Sequence, residues 1–163
     1  MVKMATLKQI FVDLKLAEVE TFIASGNVIF TSPAVAARLE VYIEKGLQKA
    51  LGYPVVTFLR TPEEIAAVAE RDPFGTPVPP GGRIYVGFLR DGPSSSARRK
   101  VAELTTATDR FAVYGRELYW LCATPSMESI ISGATLERVL GQAATLRNVN
   151  TVRRLATKYP STK

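Results

Sequence analysis

Histidine is absent from the sequence and cysteine occurs once, and each scarcity excludes a class of chemistry. Without histidine there is no Ser-His or Cys-His nucleophilic pair, no histidine general base and almost no ordinary zinc site. The single cysteine, Cys122, excludes an internal disulfide bond and agrees with a reducing compartment. Any catalysis would therefore have to use Asp, Glu, Lys, Tyr or Arg side chains.

Long apolar runs and targeting segments are also missing. No run approaches the roughly 20 apolar residues that a membrane-spanning helix needs. Residues 1–14 lack the apolar core and the small-residue cleavage site of a signal peptide. The sequence contains no phosphate-binding glycine loop, no dinucleotide fingerprint and no metal-ligand spacing. We therefore expect a cytoplasmic protein with no membrane contact, no cofactor and no metal ion.

Acidic residues are scarce in the second half of the chain. Residues 1–82 carry 8 Lys and Arg against 9 Asp and Glu, whereas residues 83–163 carry 13 against 6, for a total charge of +6. The net positive charge of residues 83–163 indicates a partner that carries negative charge. The alternative is a soluble surface that is merely cationic, because the excess is moderate for a segment of this length.

Hydrophobic periodicity in residues 1–72 predicts helices and strands in alternation. Ser25-Gly26-Asn27, between two runs of strand-forming residues, is typical of a hairpin turn. Gly52 suits the position just after a helix, and Thr61 followed by Pro62 suits the start of one. The predicted elements are a helix over 5–16, a hairpin or one bulged strand over 19–32, a helix over 34–51, a strand over Val55–Arg60 and a short helix from Thr61.

Residues 73–82 are rich in proline and glycine, and we interpret them as a linker to a second half over 83–163. The same patterns predict six elements in this half. They are a strand over Ile84–Leu89, a helix over 97–107, a hairpin of Phe111–Tyr114 with Leu118–Cys122, a helix within 126–140 interrupted by Gly133, a strand over Ala144–Arg147 and a final helix over 151–159.

The two halves repeat one order of elements. In each half a helix ends in Leu-Gly and a strand ends in Leu-Arg, at 51–52 and 59–60 and again at 140–141 and 146–147. The second half has the predicted order β-α-β-β-α-β, which is the ferredoxin-like unit, followed by one helix. We therefore predict an α+β protein of two tandem ferredoxin-like halves, each with a trailing helix. The first half, residues 1–72, lacks its opening strand.

Three segments carry distinctive strings: a Ser-Gly-Asn turn in Phe22–Phe30, an aromatic strand in Glu117–Cys122 and Arg-Asn-x-Asn-Thr in Ala144–Val152. Together these segments resemble the bacterial family called domain of unknown function 1697 (DUF1697), and the resemblance covers essentially the whole chain. It implies a pair of ferredoxin-like halves and a function that is not established. Members usually begin with a strand that ends in an Arg-Gly-Ile-Asn-Val-Gly-Gly-like string, and this sequence starts after it.

The stretch 145–159 has two interpretations. In the structural one, Asn148 or Asn150 caps the last helix, whose solvated side is basic. In the functional one, the free N–H groups of that helix start, beside an arginine, bind an anion. The candidate anion- or ligand-binding residues of this stretch are Arg147, Asn148, Asn150 and Thr151.

Three further groups each have a structural and a functional interpretation. Ser25, Gly26 and Asn27 form either an ordinary turn or a backbone concavity for a phosphate. Tyr119 and Trp120 belong either to the core or to a stacking platform for bases. Basic side chains on two predicted helices form either solvated faces or contacts to an anion; they are Arg98, Arg99, Lys100, Arg153, Arg154 and Lys158.

We predict a non-enzymatic binding domain, with no catalytic residue, whose basic second half contacts an anionic partner such as nucleic acid. The first alternative is a binder or enzyme for a small phosphorylated or carboxylated ligand held between the two halves by Arg147, Asn148, Asn150 and 25–27. The second alternative is a protein-interaction module.

Overall fold

The structure, a computed structural model, describes residues 2–23, 26–75, 77–124 and 131–161. The chain divides into two compact units, Met1–Leu59 and Arg60–Lys163. The described residues form two sheets and six helices, so the prediction of an α+β protein is confirmed.

The first unit contains α1 (Met4–Asp13), β1 (Ala17–Phe22), β2 (Asn27–Thr31) and α2 (Ala36–Leu51). β1 and β2 pair antiparallel, which confirms the predicted hairpin. Gly52 follows α2 with a left-handed φ of 85°, as its place after the helix predicted. The buried core of this unit consists of Ile10, Phe11, Val19, Leu39, Ile43 and Leu47.

The predicted strand over Val55–Arg60 is wrong, because no strand forms there in the described structure. Thr57 instead donates its backbone N–H to the Glu44 carboxylate, 2.9 Å away, in the first unit. Strand-forming residues make a strand only beside a neighbour whose backbone groups they can bond. The described sheet of this unit consists of β1 and β2, and neither pairs with this segment.

The second unit contains eight elements in its described residues, and four of them are the strands of one antiparallel sheet. The strand order is β4-β5-β3-β6, so β3 is an inner strand and β4 and β6 are edges. The elements are α3 (Pro62–Glu70), β3 (Arg83–Leu89), α4 (Ser95–Ala102), β4 (Asp109–Tyr114), β5 (Glu117–Cys122), α5 (Gly133–Leu140), β6 (Ala144–Asn148) and α6 (Val149–Lys158).

Helices cover both faces of this sheet. α4 and α5 pack together on the face that carries the main core, which contains Leu89, Val101, Leu118, Trp120, Cys122, Ile131, Leu136 and Leu140. Because side chains alternate along a strand, Val86 and Tyr119 point to the opposite face. There α6 packs on β3 and β6, α3 packs on α6, and the Tyr119 hydroxyl donates to the Val68 carbonyl of α3.

Several helix boundaries differ from the predicted ones; in the first unit α1 ends at Asp13 and not at 16, and α2 begins at Ala36 and not at 34. The helix expected over 97–107 is Ser95–Ala102, because the Ser94 hydroxyl accepts from Ala97 N–H and starts it earlier. Gly133 begins α5, and Ser132 caps that helix. Residues 126–130 of the expected helix lie outside the described residues. The last helix begins at Val149, because Asn148 and not Asn150 is its cap.

Thr61 starts α3 with a capping box, and its loss should be measurable. Its hydroxyl accepts from Glu64 N–H at 3.1 Å, and the Glu64 carboxylate accepts from Thr61 N–H at 3.0 Å. We expect Thr61→Ala to lower the free energy of unfolding by about 0.5–2 kcal/mol, because the Glu64 N–H at the helix start loses its ordered acceptor. Urea unfolding measures this loss. Thr61→Ser keeps the acceptor, and an equal loss in that variant would contradict the capping role.

Burial raises the pKa of the Glu64 carboxyl, but the Thr61 N–H and the Arg116 guanidinium outweigh burial, so the pKa lies below its usual value. A carboxyl with a lowered pKa stabilises the fold above its unfolded-state pKa. That contribution is lost as the pH falls through the lowered pKa. The capping box therefore weakens in acid.

Candidate functional site

An open cleft of about 480 Å³ lies in the second unit, at the end of α3 and beside α6. Its floor includes Ile84, from the start of the inner strand β3. Two arginines and two acids line it together with apolar residues of the proline-rich segment. The lining residues are Ala69, Glu70, Arg71, Asp72, Gly75, Pro77, Val78, Ile84 and Arg153.

The start of α6 lies at the same end of the sheet as this cleft. Asn148 pairs with Tyr85, the neighbour of Ile84 in β3. The Asn148 side chain caps the helix by accepting from Asn150 N–H at 2.9 Å. Arg153 donates from Nη1 to the Asn150 side-chain oxygen at 3.3 Å and also lines the cleft. Three of the residues singled out from the sequence thus gather in one place.

Arg147 is held by its own strand. Its Nη1 donates to Thr145 Oγ1 at 2.8 Å and to the Leu146 carbonyl at 2.9 Å. Burial lowers the pKa of the guanidinium. Thr151 lies half-buried in the first turn of α6. For both residues, an anion-binding role remains a prediction.

The predicted turn site belongs to the first unit. Ser25 lies outside the described residues. Gly26 has a φ of 88°, and Asn27 donates from Nδ2 to the Phe22 carbonyl at 3.0 Å across the hairpin. These contacts fit turn chemistry, and an anion-binding role for Gly26 and Asn27 remains a prediction.

The basic residues form two clusters on opposite layers of the second unit. The α4 cluster is Arg98, Arg99 and Lys100, and the α6 cluster is Arg153, Arg154 and Lys158. All six side chains are exposed. Because α4 and α6 pack on opposite faces of the sheet, the two clusters do not form one continuous surface.

A buried arginine that the sequence did not single out fixes the other end of the sheet. The Arg60 guanidinium bonds the Glu117 carboxylate at 3.0 Å from Nε and the carbonyls of Leu89 and Arg116 from Nη2. Only 3% of its side chain is exposed, and burial lowers its pKa. We interpret this arrangement as a structural clamp, because the buried guanidinium directs its donors to three groups of the protein itself.

A second arginine that the sequence did not single out stacks on aromatic rings at the surface. The Arg71 guanidinium lies 4.7 Å from the Tyr114 ring centre and donates to the Tyr119 hydroxyl at 3.2 Å. Arg110 lies 5.4 Å from the Phe74 ring centre. These contacts join residues about 40 positions apart in the sequence, so no local sequence pattern predicts them.

The candidate stacking residues Tyr119 and Trp120 are both buried, in agreement with the core interpretation. Cys122 is also buried, and burial raises the pKa of its thiol, so the thiolate is disfavoured. In the described part of the chain, no group of His, Cys, Asp or Glu side chains is arranged to hold a metal ion. Within the same residues, no helix has the length and apolar character to span a bilayer.

The comparisons with known proteins give a family and a fold. The family described as "Protein of unknown function (DUF1697)" matches residues 1–119. The structure is similar to that of the conserved bacterial protein SP0830 from Streptococcus pneumoniae, with a TM-score of 0.73 and 22% identity. The match covers 99% of this chain and 91% of that chain, and at this identity it concerns the fold alone. No curated protein matches the sequence.

Proposed function

The chain belongs to the DUF1697 family of proteins of unknown function, and from this starting point we propose that it is a non-enzymatic, cytoplasmic binding domain whose basic second unit contacts nucleic acid. The excess of arginine over lysine in the second unit supports the proposal. Residues 60–163 contain 12 arginines and 3 lysines, whereas residues 1–59 contain 1 arginine and 5 lysines. Arginine binds phosphate through paired N–H groups and stacks on flat rings, which lysine cannot do.

The α6 cluster is the observation that carries this proposal. Arg153, Arg154 and Lys158 are exposed on one side of α6, while Val149 and Val152 bury the other side. Arg153 and Arg154 lie near the helix start, whose N–H groups add a partial positive charge, and Lys158 lies in the last turn. A helix that displays three cations along one exposed side, two of them near its positive end, suits a chain of phosphates.

Removing the two arginines of this cluster tests the proposal. We expect Arg153→Ala with Arg154→Ala to weaken binding of a fluorescent oligonucleotide, measured by anisotropy. For each phosphate that the variant no longer neutralises, the plot of log affinity against log salt should become shallower by roughly 0.7–0.9. The melting temperature should barely change, because exposed charges contribute little to stability.

The matched control removes two exposed cations from a helix of the first unit, as Lys45→Ala with Lys49→Ala. That variant should bind almost as the natural chain does. Equal weakening in both double variants would indicate a general charge effect and would reject the α6 cluster as the contact.

The cleft favours a second candidate function, the binding of a small phosphorylated or carboxylated ligand. Arg71 and Arg153 line it and could pair with an anionic group, although Glu70 and Asp72 line it too. A rise in melting temperature with inorganic phosphate or small carboxylates, without any effect of oligonucleotides, would favour this candidate over nucleic acid.

We also infer that the fold is a duplication of the ferredoxin-like unit. The β-α-β-β-α-β order of the second unit and its strand order β4-β5-β3-β6 support this inference. The first unit repeats part of that order as α1-β1-β2-α2. As part of this proposal, residues 73–82 form the linker between a first ferredoxin-like half, residues 1–72, and a second half, residues 83–163.

A further inference from the structure

We propose that the second unit binds single-stranded nucleic acid on the outer face of β4, where bases stack on Tyr114 and on the guanidinium planes of Arg71 and Arg110. We call these three residues the stacking face. This proposal rests on the proposed nucleic-acid function, and it adds the form of the nucleic acid and a second surface distinct from the α6 cluster.

The position of β4 in the sheet makes this face available. Phe111 and Val113 pack into the main core, so the alternate residues Arg110, Ala112 and Tyr114 point to the opposite face. On that face α6 packs on β3 and β6, α3 lies against β5 through the bond of the Tyr119 hydroxyl to the Val68 carbonyl, and the residues after α3 reach the edge strand β4. Tyr114 is nevertheless 40% exposed, and Arg110 is exposed as well.

The arginines of the stacking face already lie over aromatic rings. Arg71 lies 4.7 Å from the Tyr114 ring centre, and its bond to the Tyr119 hydroxyl restrains its guanidinium. Arg110 lies 5.4 Å from the Phe74 ring centre. A guanidinium held in this way costs little entropy when a base stacks on its outer side, and its N–H edge remains a donor for phosphate.

The spacing suits an extended single strand. Arg110 and Tyr114 lie four residues apart on one strand, which places them about 13 Å from each other. Ala112, which is half-buried, lies between them on the same face of the strand. Stacking on side chains requires unpaired bases, whereas the bases of a duplex are already stacked on each other. The face is therefore suited to a single strand and not to a double helix.

The acids nearest to this face are already engaged. Glu117, which pairs with Tyr114 across the hairpin, accepts the Arg60 guanidinium at 3.0 Å. Asp72, beside Arg71 in sequence, accepts from Gly75 N–H at 3.1 Å. Asp72 keeps its negative charge, whereas Glu117 is neutralised by Arg60, so the two cations Arg71 and Arg110 outnumber the one unpaired acid beside them.

Anisotropy with fluorescent oligo(dT) and oligo(rU) of about 12 nucleotides, against a DNA hairpin duplex, tests the stacking face. The full chain should bind both single strands more tightly than the duplex. Tyr114→Ala should weaken single-strand binding about 5- to 150-fold, and Tyr114→Phe, which keeps the ring, should stay within about 2-fold. Arg110→Lys keeps the positive charge but removes the planar guanidinium on which a base would stack. This variant should therefore also weaken single-strand binding.

Each outcome decides a different point. If the natural chain binds single strands, and Tyr114→Ala and Arg110→Lys bind them equally well, the stacking face is rejected. The α6 cluster is then tested separately by Arg153→Ala with Arg154→Ala. If the chain prefers the duplex, the single-strand proposal is wrong. If no nucleic acid binds, both proposals are wrong. Should Tyr114→Ala melt early, Arg110→Lys at an exposed position decides the matter.

Discussion

Arg60→Ala should lower the free energy of unfolding of the second unit by about 3–5 kcal/mol, because it leaves a buried carboxylate without its counter-ion. The Arg60 and Glu117 side chains are 3% and 12% exposed. The same substitution removes the donors to the carbonyls of Leu89, at the end of β3, and Arg116, in the β4–β5 turn. The loss therefore affects the segment before α3, the central strand and a hairpin together.

Urea unfolding followed by the fluorescence of Trp120, the single tryptophan, measures this effect. Arg116→Ala is the matched control, since its ion pair with Glu64 has side chains 32% and 41% exposed. We expect that control to cost at most about 1 kcal/mol. Replacing the buried pair as Arg60→Met with Glu117→Leu should cost less than Arg60→Ala alone. Similar losses for Arg60→Ala and Arg116→Ala would contradict the clamp.

Trp120→Ala should cost about 4–6 kcal/mol, since it combines a large cavity with a broken buried hydrogen bond. The indole N–H donates to the Asp109 carboxylate at 2.8 Å, and Asp109 is only 1% exposed. The indole ring also lies 5.3 Å from the ring of Tyr85 and 6.0 Å from that of Phe111. In Trp120→Ala, the Asp109 carboxylate loses the indole donor and keeps the hydroxyls of two threonines.

Trp120→Phe separates the two contributions, because it keeps most of the apolar volume and loses the donor. We expect it to cost about 1–3 kcal/mol. Far-ultraviolet circular dichroism follows unfolding in both variants, since each has lost the fluorophore. A double-mutant cycle with Asp109→Ala, which removes the acceptor, should give a clear coupling energy, and strict additivity would show that the hydrogen bond contributes nothing.

Elements with complete local signals could be predicted from the sequence. The hairpin of β4 and β5 has continuous apolar and aromatic runs on both sides of Gly115, which has a φ of 56°. The helix α2 has a regular apolar stripe and a glycine stop, and α3 has its Thr-Pro start. In each case, the residues that determine the element lie within about one or two turns of it.

Elements that depend on a distant neighbour could not be predicted. Val55–Leu59 and Ile84–Leu89 look alike as apolar runs, yet only the latter forms a strand, because β5 and β6 supply backbone partners on both sides. The stacking of Arg71 on Tyr114 and the bond of Arg60 to Glu117 likewise join residues far apart in sequence. Nothing in the sequence around an arginine distinguishes a buried clamp from a solvated charge.

The inner position of β3 has a consequence for synthesis on the ribosome. Leu89 pairs with Ala144, which is translated 55 residues later. At about 5–20 residues per second, the ribosome begins β6 roughly 3–11 seconds after it has completed β3. During that interval at least the edge of β3 that faces β6 is without its partner, and such an edge readily pairs with another chain. The run Ile84–Leu89 is therefore the stretch that a nascent-chain chaperone would most usefully shield.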